Sequence, residues 1–292
     1  MTGAGMTGYE TGGALRRTLR ARDGLMLGAL DWPGDPARRP LLCLPGISRT
    51  ALDYVAVAGR QRGARRVVAL DHAGHGLSAR PEEVARYGVG AAITDVLDAM
   101  AALHLHRVVL LGTSFGGILG MAIGVLRPAC LAAVVLNDIG PRMEPGGLEL
   151  VHDFIGRDPA LATEEDAVAF VQARMPPMAL DAEGWRRMAR RTYAPGPDGR
   201  LHPRWDPRIV QRFGGEAGTV ADLWPAFNAL AHLPLLLVHG ALSALLSDVT
   251  VAAMRRARRD MMVATVPGVG HAPTLEEPAA VAGLERFLAR IG

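Results

Sequence analysis

Lysine is absent from this chain: all 32 basic residues are arginine, set against 29 Asp and Glu for a formal charge of +3. A surplus that small over 292 residues does not imply a nucleic-acid partner, because such affinity rests on a concentrated basic footprint. The arginines are either scattered (Arg16, Arg17, Arg38, Arg39, Arg65, Arg66) or placed on helical segments (Arg255, Arg256, Arg258, Arg259). They lack the aromatic interleaving that single-strand binders use and read as solvated faces. Codon bias in a GC-rich genome accounts for the missing lysine.

Cysteine is nearly absent too. Cys43 and Cys130 both lie inside apolar runs, LLCLPG and ACLAAVVL. Two such residues cannot make a disulfide framework or a metal site of recognisable spacing, so buried free thiols are expected. No apolar run reaches the length needed to span a bilayer; GGILGMAIGVL is among the longest. The start, MTGAGMTGYETGG, has no charged segment followed by an apolar one. The expectation is a cytoplasmic protein with no membrane partner.

What is present is alternation. Short apolar runs at Leu25–Trp32, Leu41–Leu44, Val67–Leu70, Val108–Gly112, Val134–Asn137, Leu235–Gly240 and Met262–Val266 are bounded by Gly, Pro, Asp or His. Their continuity suits strands buried on both faces of a parallel sheet. Helical patterns at Ala92–Leu103, Gly117–Leu126, Thr250–Arg258 and Ala279–Ala289 fall between them. This order predicts an α/β fold with a doubly wound, mostly parallel sheet. From Pro141 to His232 the alternation stops, and Pro-rich turns (MPPMAL, APGPDG, HPRWDP) separate helical patches that carry Trp185, Trp205 and Trp224. We read residues 141–232 as a helical cap inserted into a core made of residues 1–140 and 233–292. A cap belongs over the carboxyl ends of the strands, where open α/β sheets bind ligands.

The chemistry centres on Gly112-Thr113-Ser114-Phe115-Gly116-Gly117, which directly follows one strand run and opens a helical one. A G-x-S-x-G in that context is a nucleophile elbow: the sharp turn exposes the serine, and the glycines leave room for it. The helix beginning at Phe115 aims backbone N–H groups at developing negative charge. A serine nucleophile needs a base. His271, in the Gly-Pro loop VPGVGHAP after the last strand run, is the best placed of nine histidines. Leu44-Pro45-Gly46-Ile47-Ser48 ends an early strand, and the N–H groups of Ile47 and Phe115 would make the oxyanion pair. Asp71-His72-Ala73-Gly74-His75-Gly76-Leu77-Ser78 reads as a turn that braces the site.

Taken in order, the P-G turn, D-x-x-G-H-G-x-S and G-T-S-x-G-G resemble the α/β-hydrolase superfamily over essentially the whole chain, and Asn137–Pro141 and Gly240–Ser247 are similar to an esterase-like branch with a helical cap. The resemblance implies a serine hydrolase with no metal or cofactor, acting on a small-molecule ester or related acyl compound. Carbon–carbon hydrolysis, acyl transfer, or a decayed scaffold that only binds are the alternatives it leaves. Serine at the elbow argues against the dehalogenases and epoxide hydrolases of this fold, which carry aspartate there.

The pattern breaks at one place. The acid that usually follows the LLLVHG strand is missing, since Ser243 and Ala244 stand where a carboxylate is expected. Three readings compete: Asp138 substitutes from the preceding strand, Asp248 reaches back from the next helix, or the site is a Ser–His dyad. For the pocket, Trp224, Leu242 and Leu245 are the expected apolar lining.

Overall fold

The computed structural model describes residues 11–212 and 222–292. Most of the N-terminal segment read for a targeting signal, and residues 213–221 of the predicted cap, lie outside the described residues. Ten strands and nine α-helices are formed within the described residues. In chain order the first half runs β1 (Leu15–Arg20), β2 (Met26–Trp32), β3 (Leu41–Leu44), α1 (Val55–Arg60), β4 (Val67–Leu70), α2 (Val89–Ala102), β5 (Val108–Thr113), α3 (Phe115–Leu126) and β6 (Leu131–Asn137). The chain then leaves the sheet for α4 (Pro145–Ile155), α5 (Glu164–Arg174), α6 (Ala182–Thr192), the short strands β7 (Tyr193–Pro195) and β8 (Leu201–Pro203), and α7 (Trp224–Ala229). It returns with β9 (Leu235–Gly240), α8 (Asp248–Ala257), β10 (Met262–Val266) and α9 (Pro278–Leu288).

Eight strands form one sheet in the order β1-β2-β4-β3-β5-β6-β9-β10. From β4 to β10 every pairing is parallel, while β1 and β2 add antiparallel at one edge. The unbroken apolar runs have a simple cause. Leu42, Leu44, Val68, Leu110 and Leu136 face one buried layer, with Val96 of α2, Leu119 of α3 and Phe227 of α7. Their strand neighbours Leu41, Cys43, Val67, Leu111 and Val135 face the other, with Val57 of α1 and Leu284 of α9. Both faces are covered, so neither has room for polar residues. Strand β1 escaped the sequence reading because its LRRTLR pattern is largely exposed and pairs only with β2.

The order places β3 between β4 and β5, so the chain crosses from β3 to β4 on one side and then returns past β3 to β5 on the other. The ends of β3 and β5 are neighbours there, with Leu44 opposite Gly112. That switch point leaves a crevice at the carboxyl edge. The insertion is fastened beside it by buried aromatic residues. Trp205 is fully buried, stacks obliquely on Phe154 at 5.6 Å and donates its indole N–H to the Ile155 carbonyl at 2.8 Å. Among the described residues, no helix is long and apolar enough to cross a membrane.

Candidate active site

The turn after β5 is tight enough to dictate its own sequence. A Cβ on Gly112 would come within 2.4 Å of the Gly116 backbone, and one on Gly116 within 2.1 Å of the Leu44 carbonyl oxygen. Ser114 between them has φ 50° and ψ −113°, a combination that L-residues occupy only when the surroundings enforce it. Its N–H donates to the Asn137 carbonyl at 3.0 Å, which fixes the elbow to the end of β6. Helix α3 starts at the next residue, so its N-terminus lies at the serine.

The loop after β10 brings His271 to that serine, with Nε2 2.9 Å from Ser114 Oγ. On the far side of the ring, Nδ1 lies 2.9 Å from Asp138 Oδ2. Asp138 is 0% exposed and its second oxygen accepts the Gly240 N–H at 2.8 Å. Its backbone is left-handed, φ 55°, a region aspartate tolerates better than most residues. The kink directly after β6 turns the carboxylate toward β9 and the His271 loop. Of the alternatives weighed for the acid, Asp248 is not near His271; its side chain is 88% exposed and lies 3.9 Å from His239. Ala244 and Ser243 bring no carboxylate, and the Ser243 hydroxyl accepts the Leu246 N–H instead.

A hydrogen-bonded chain braces these parts. The Tyr54 hydroxyl donates to the Leu44 carbonyl at 2.7 Å and lies 3.0 Å from the Thr113 hydroxyl. Asn137 Nδ2 donates to that Thr113 hydroxyl and to the Pro273 carbonyl, two residues past His271. The end of β3, the elbow and the histidine loop are thereby tied to one another. Tyr54 was not singled out in the sequence, and Thr113 and Asn137 stood there only as motif members, because their bracing roles emerge only once the strands are aligned.

The motif after β4 holds the turn at Ile47 from below. His72 Nε2 contacts the Pro45 carbonyl at 2.9 Å and His75 Nε2 the Ile47 carbonyl at 2.7 Å. Asp71 accepts the N–H groups of Ala51 and Leu77, and burial raises its carboxyl to about 6. Burial also lowers His72 to about 3 and pushes His75 below its ordinary value. These imidazoles therefore stay neutral at pH 7 and act as hydrogen-bonding props. Ile47 is among the residues that line the cavity, whereas Phe115 is not, and its ring meets His72 edge-on at 5.1 Å.

Ser114 and His271 open into a cavity of about 350 Å³, within the range of small-molecule sites. Leu242 and Leu245 are among the residues that line it. Trp224 is not. It packs edge-on against Phe227 at 5.5 Å, alongside α3, and belongs to the core layer. Trp185 and Trp205 are likewise used for packing within the insertion and against the core. The apolar wall is supplied instead by Met175, Met178 and Met188, with Leu150, Val151 and Phe154 of α4. Methionine is unbranched and polarizable, so it fills irregular space and adapts to it. The clue in the sequence was MPPM, whose prolines mark a turn and drew attention from the methionines beside them. Gly270, next to His271, donates to the Pro177 carbonyl of that segment at 2.7 Å.

Polar groups enter the cavity as well: Arg49, Arg174 and Arg191, and one carboxylate, Asp53. Among the described residues, no group of His, Cys, Asp and Glu is arranged to hold a metal ion.

Comparison with known proteins gives the same frame. The model of the alpha/beta hydrolase family matches residues 41–284. The chain is 34% identical over 269 residues to a 3-hydroxybutyrate-oligomer hydrolase of Cupriavidus necator, covering 88% of this chain and 90% of that protein. It is 29% identical over 205 residues to a 2-(acetamidomethylene)succinate hydrolase of Mesorhizobium japonicum, covering 70% and 71%. The crystal structure of an alpha/beta hydrolase from Novosphingobium aromaticivorans superposes with a TM-score of 0.91 at 35% identity, over 98% of this chain and 100% of that one. With a switch-point elbow, a histidine loop in reach of it and a family match that runs from β3 into α9, this chain belongs to the alpha/beta hydrolase family.

Proposed function

We propose that the protein is a serine hydrolase that cleaves a carboxylic ester or related acyl bond through an acyl-enzyme on Ser114. The observation that carries this reading is the continuous contact from Ser114 Oγ through His271 to Asp138, with 2.9 Å at each step. In the first half-reaction His271 Nε2 takes the Ser114 proton as Oγ attacks the carbonyl carbon. The N–H groups of Ile47 and Phe115 hold the resulting oxyanion, each such donor contributing about 3 kcal/mol to the barrier reduction. Collapse expels the alcohol, which leaves with the proton from His271. Water then attacks the acyl group, gives a proton to His271 and releases the acid, restoring the Ser114 hydroxyl. Asp138 keeps Nδ1 protonated and steadies the imidazolium in both steps.

Residues 141–232 act in this reading as the cap, roofing the cavity with methionines and α4. The hydroxybutyrate-oligomer hydrolase is matched over most of both chains, which supports an aliphatic ester of a short hydroxy acid as substrate. A 2-hydroxy-6-oxo-2,4-heptadienoate hydrolase of Pseudomonas putida is matched over 25% of this chain only, so carbon–carbon cleavage on the same site is the second reading. The unpaired thiols Cys43 and Cys130 suit the reducing cytoplasm, which we take as its compartment. Incubation with 3-hydroxybutyrate dimer and trimer, beside short aryl esters and a vinylogous diketone, tests the assignment. Ester hydrolysis by the wild type and none by Ser114→Ala is the expected result; turnover of the diketone alone would favour the second reading.

A further inference from the structure

Three arginines face one cavity that also holds the nucleophile, and their charges are unequally answered. Arg49 is satisfied: Nε and Nη2 both bind the Asp53 carboxylate at 2.6 Å, and Nη1 donates to the Thr192 hydroxyl at 2.6 Å. Arg191 is different. Among the described residues it makes one hydrogen bond, from Nη1 to Glu276 Oε1 at 2.7 Å, although a guanidinium carries five N–H donors. Glu276 is in turn shared, since Arg187 stands 4.0 Å from its other oxygen. The same sharing recurs at Arg174, whose partner Asp153 lies 3.2 Å away and is bound by Arg157 as well. Each of these cavity arginines thus competes with a second arginine for one carboxylate. The wall therefore carries an excess of positive charge beside apolar methionines, and at Arg191, which is mostly buried, that charge is the less screened by water.

Position gives the excess a use. Glu276 sits five residues after His271 on the same loop, so the Arg191 head group lies on the histidine side of the cavity. Its side chain is 16% exposed, against 38% for Arg174. A neutral ester would leave both guanidiniums with only half a counter-ion.

We infer that Arg191, supported by Arg174, forms an anion subsite that binds the free carboxylate at the far end of an acyl substrate whose ester carbonyl sits at Ser114. The subsite rests on the serine-hydrolase reading and narrows it to acid-ended esters, such as half-esters of dicarboxylic acids and oligomers of hydroxy acids. An incoming carboxylate accepts the unused N–H donors of Arg191 in the fork geometry that guanidinium and carboxylate share. Glu276 holds the side chain in place and limits how tightly the acid end is bound.

The test compares kcat/KM for 4-nitrophenyl hemiglutarate with that for its methyl-capped ester. The wild type is expected to favour the hemiglutarate. Arg191→Gln should reduce that preference about 10- to 100-fold, the scale of one charge-assisted hydrogen-bonded pair. Glu276→Gln, which frees Arg191 from its internal partner, should raise the preference. A pair serving only to brace the histidine loop predicts equal losses on both esters in both variants, and that result overturns the subsite. If the wild type hydrolyses neither ester, the serine-hydrolase reading fails while the subsite is judged by binding. Calorimetric titration of monomethyl glutarate into the Ser114→Ala protein should then show affinity that falls by the same factor when Arg191→Gln is added. Equal affinity with and without that change, or no binding to either protein, counts against the subsite.

Discussion

The carboxylate of Asp138 reaches His271 from the end of β6, at 2.9 Å, and not from the loop after β9 where Ala244 stands. Two neighbouring strands present their carboxyl ends to the same histidine, so an acid on either can meet Nδ1. Here the left-handed Asp138 backbone supplies the direction, and the Gly240 N–H anchors the oxygen that His271 does not use. Asp138→Asn is expected to lower turnover of an activated ester by up to about 10⁴-fold, because the imidazole loses both its tautomer and its partner when charged. Ala244→Asp should change little in the wild type. A mild Asp138→Asn phenotype together with a strong gain in Ala244→Asp would point to a dyad.

Trp224 carries the reverse of its sequence-based expectation. Since it packs on Phe227 and faces away from the cavity, Trp224→Ala should destabilise the fold by about 2 kcal/mol, a fall in Tm of about 5 °C. Relative rates across an ester series should stay the same. Thermal melts alongside rates on acetyl to hexanoyl esters check this; an altered chain-length profile with an unchanged Tm would restore the pocket role.

Cavity selectivity should instead respond at the methionines. Met188→Ala enlarges the wall of the 350 Å³ cavity and is expected to shift preference toward bulkier acyl groups, with KM changing more than kcat. The same ester series reads it, and equal scaling of all rates would argue that Met188 serves packing alone.

The buried histidines under the Pro45–Ile47 turn predict an acid limb in stability. His72 is held down to about 3 by burial, while its ordinary value is 6.5. Below pH 6.5 the unfolded chain therefore takes up protons that the folded chain refuses, and stability falls with pH. The slope approaches about 1.4 kcal/mol per pH unit for each such histidine. Asp71 has the opposite sign. Its carboxyl is raised from 3.8 to about 6, so its contribution is full below 3.8 and is lost as pH rises through 6. Between those values it offsets part of the histidine effect. Urea unfolding at pH 5 to 7 should show a shallower slope in His72→Gln than in the wild type; equal slopes would mean that His72 titrates normally.

The sheet was legible in the sequence because residues such as Leu110 and Leu111 must each find an apolar layer on opposite faces. Local sterics made the elbow equally plain, since Gly112 and Gly116 are dictated by backbone contacts that no other residue allows. The rest depends on alignment between distant segments. Asp138 could be proposed but not chosen over a dyad, for nothing local distinguishes a turn-forming aspartate from one that meets a histidine 133 residues later. Trp224 was credited to the pocket because it is large and lies in the insertion, yet burying that much apolar area is itself reason to place a tryptophan in the core, as with Trp205. The arginines lining the cavity carried no signal at all in a chain where every basic residue is arginine.

The central claim is that Ser114 is a nucleophile activated by His271 and Asp138, and covalent labelling tests it without knowledge of the substrate. A fluorophosphonate added to the wild type, followed by digestion and mass spectrometry, should yield a single adduct on the peptide containing Ser114. Labelling should disappear in Ser114→Ala and slow by orders of magnitude in His271→Ala and Asp138→Asn. An unlabelled wild type, an adduct on another residue, or labelling of Ser114 at the same rate without His271 would contradict the account.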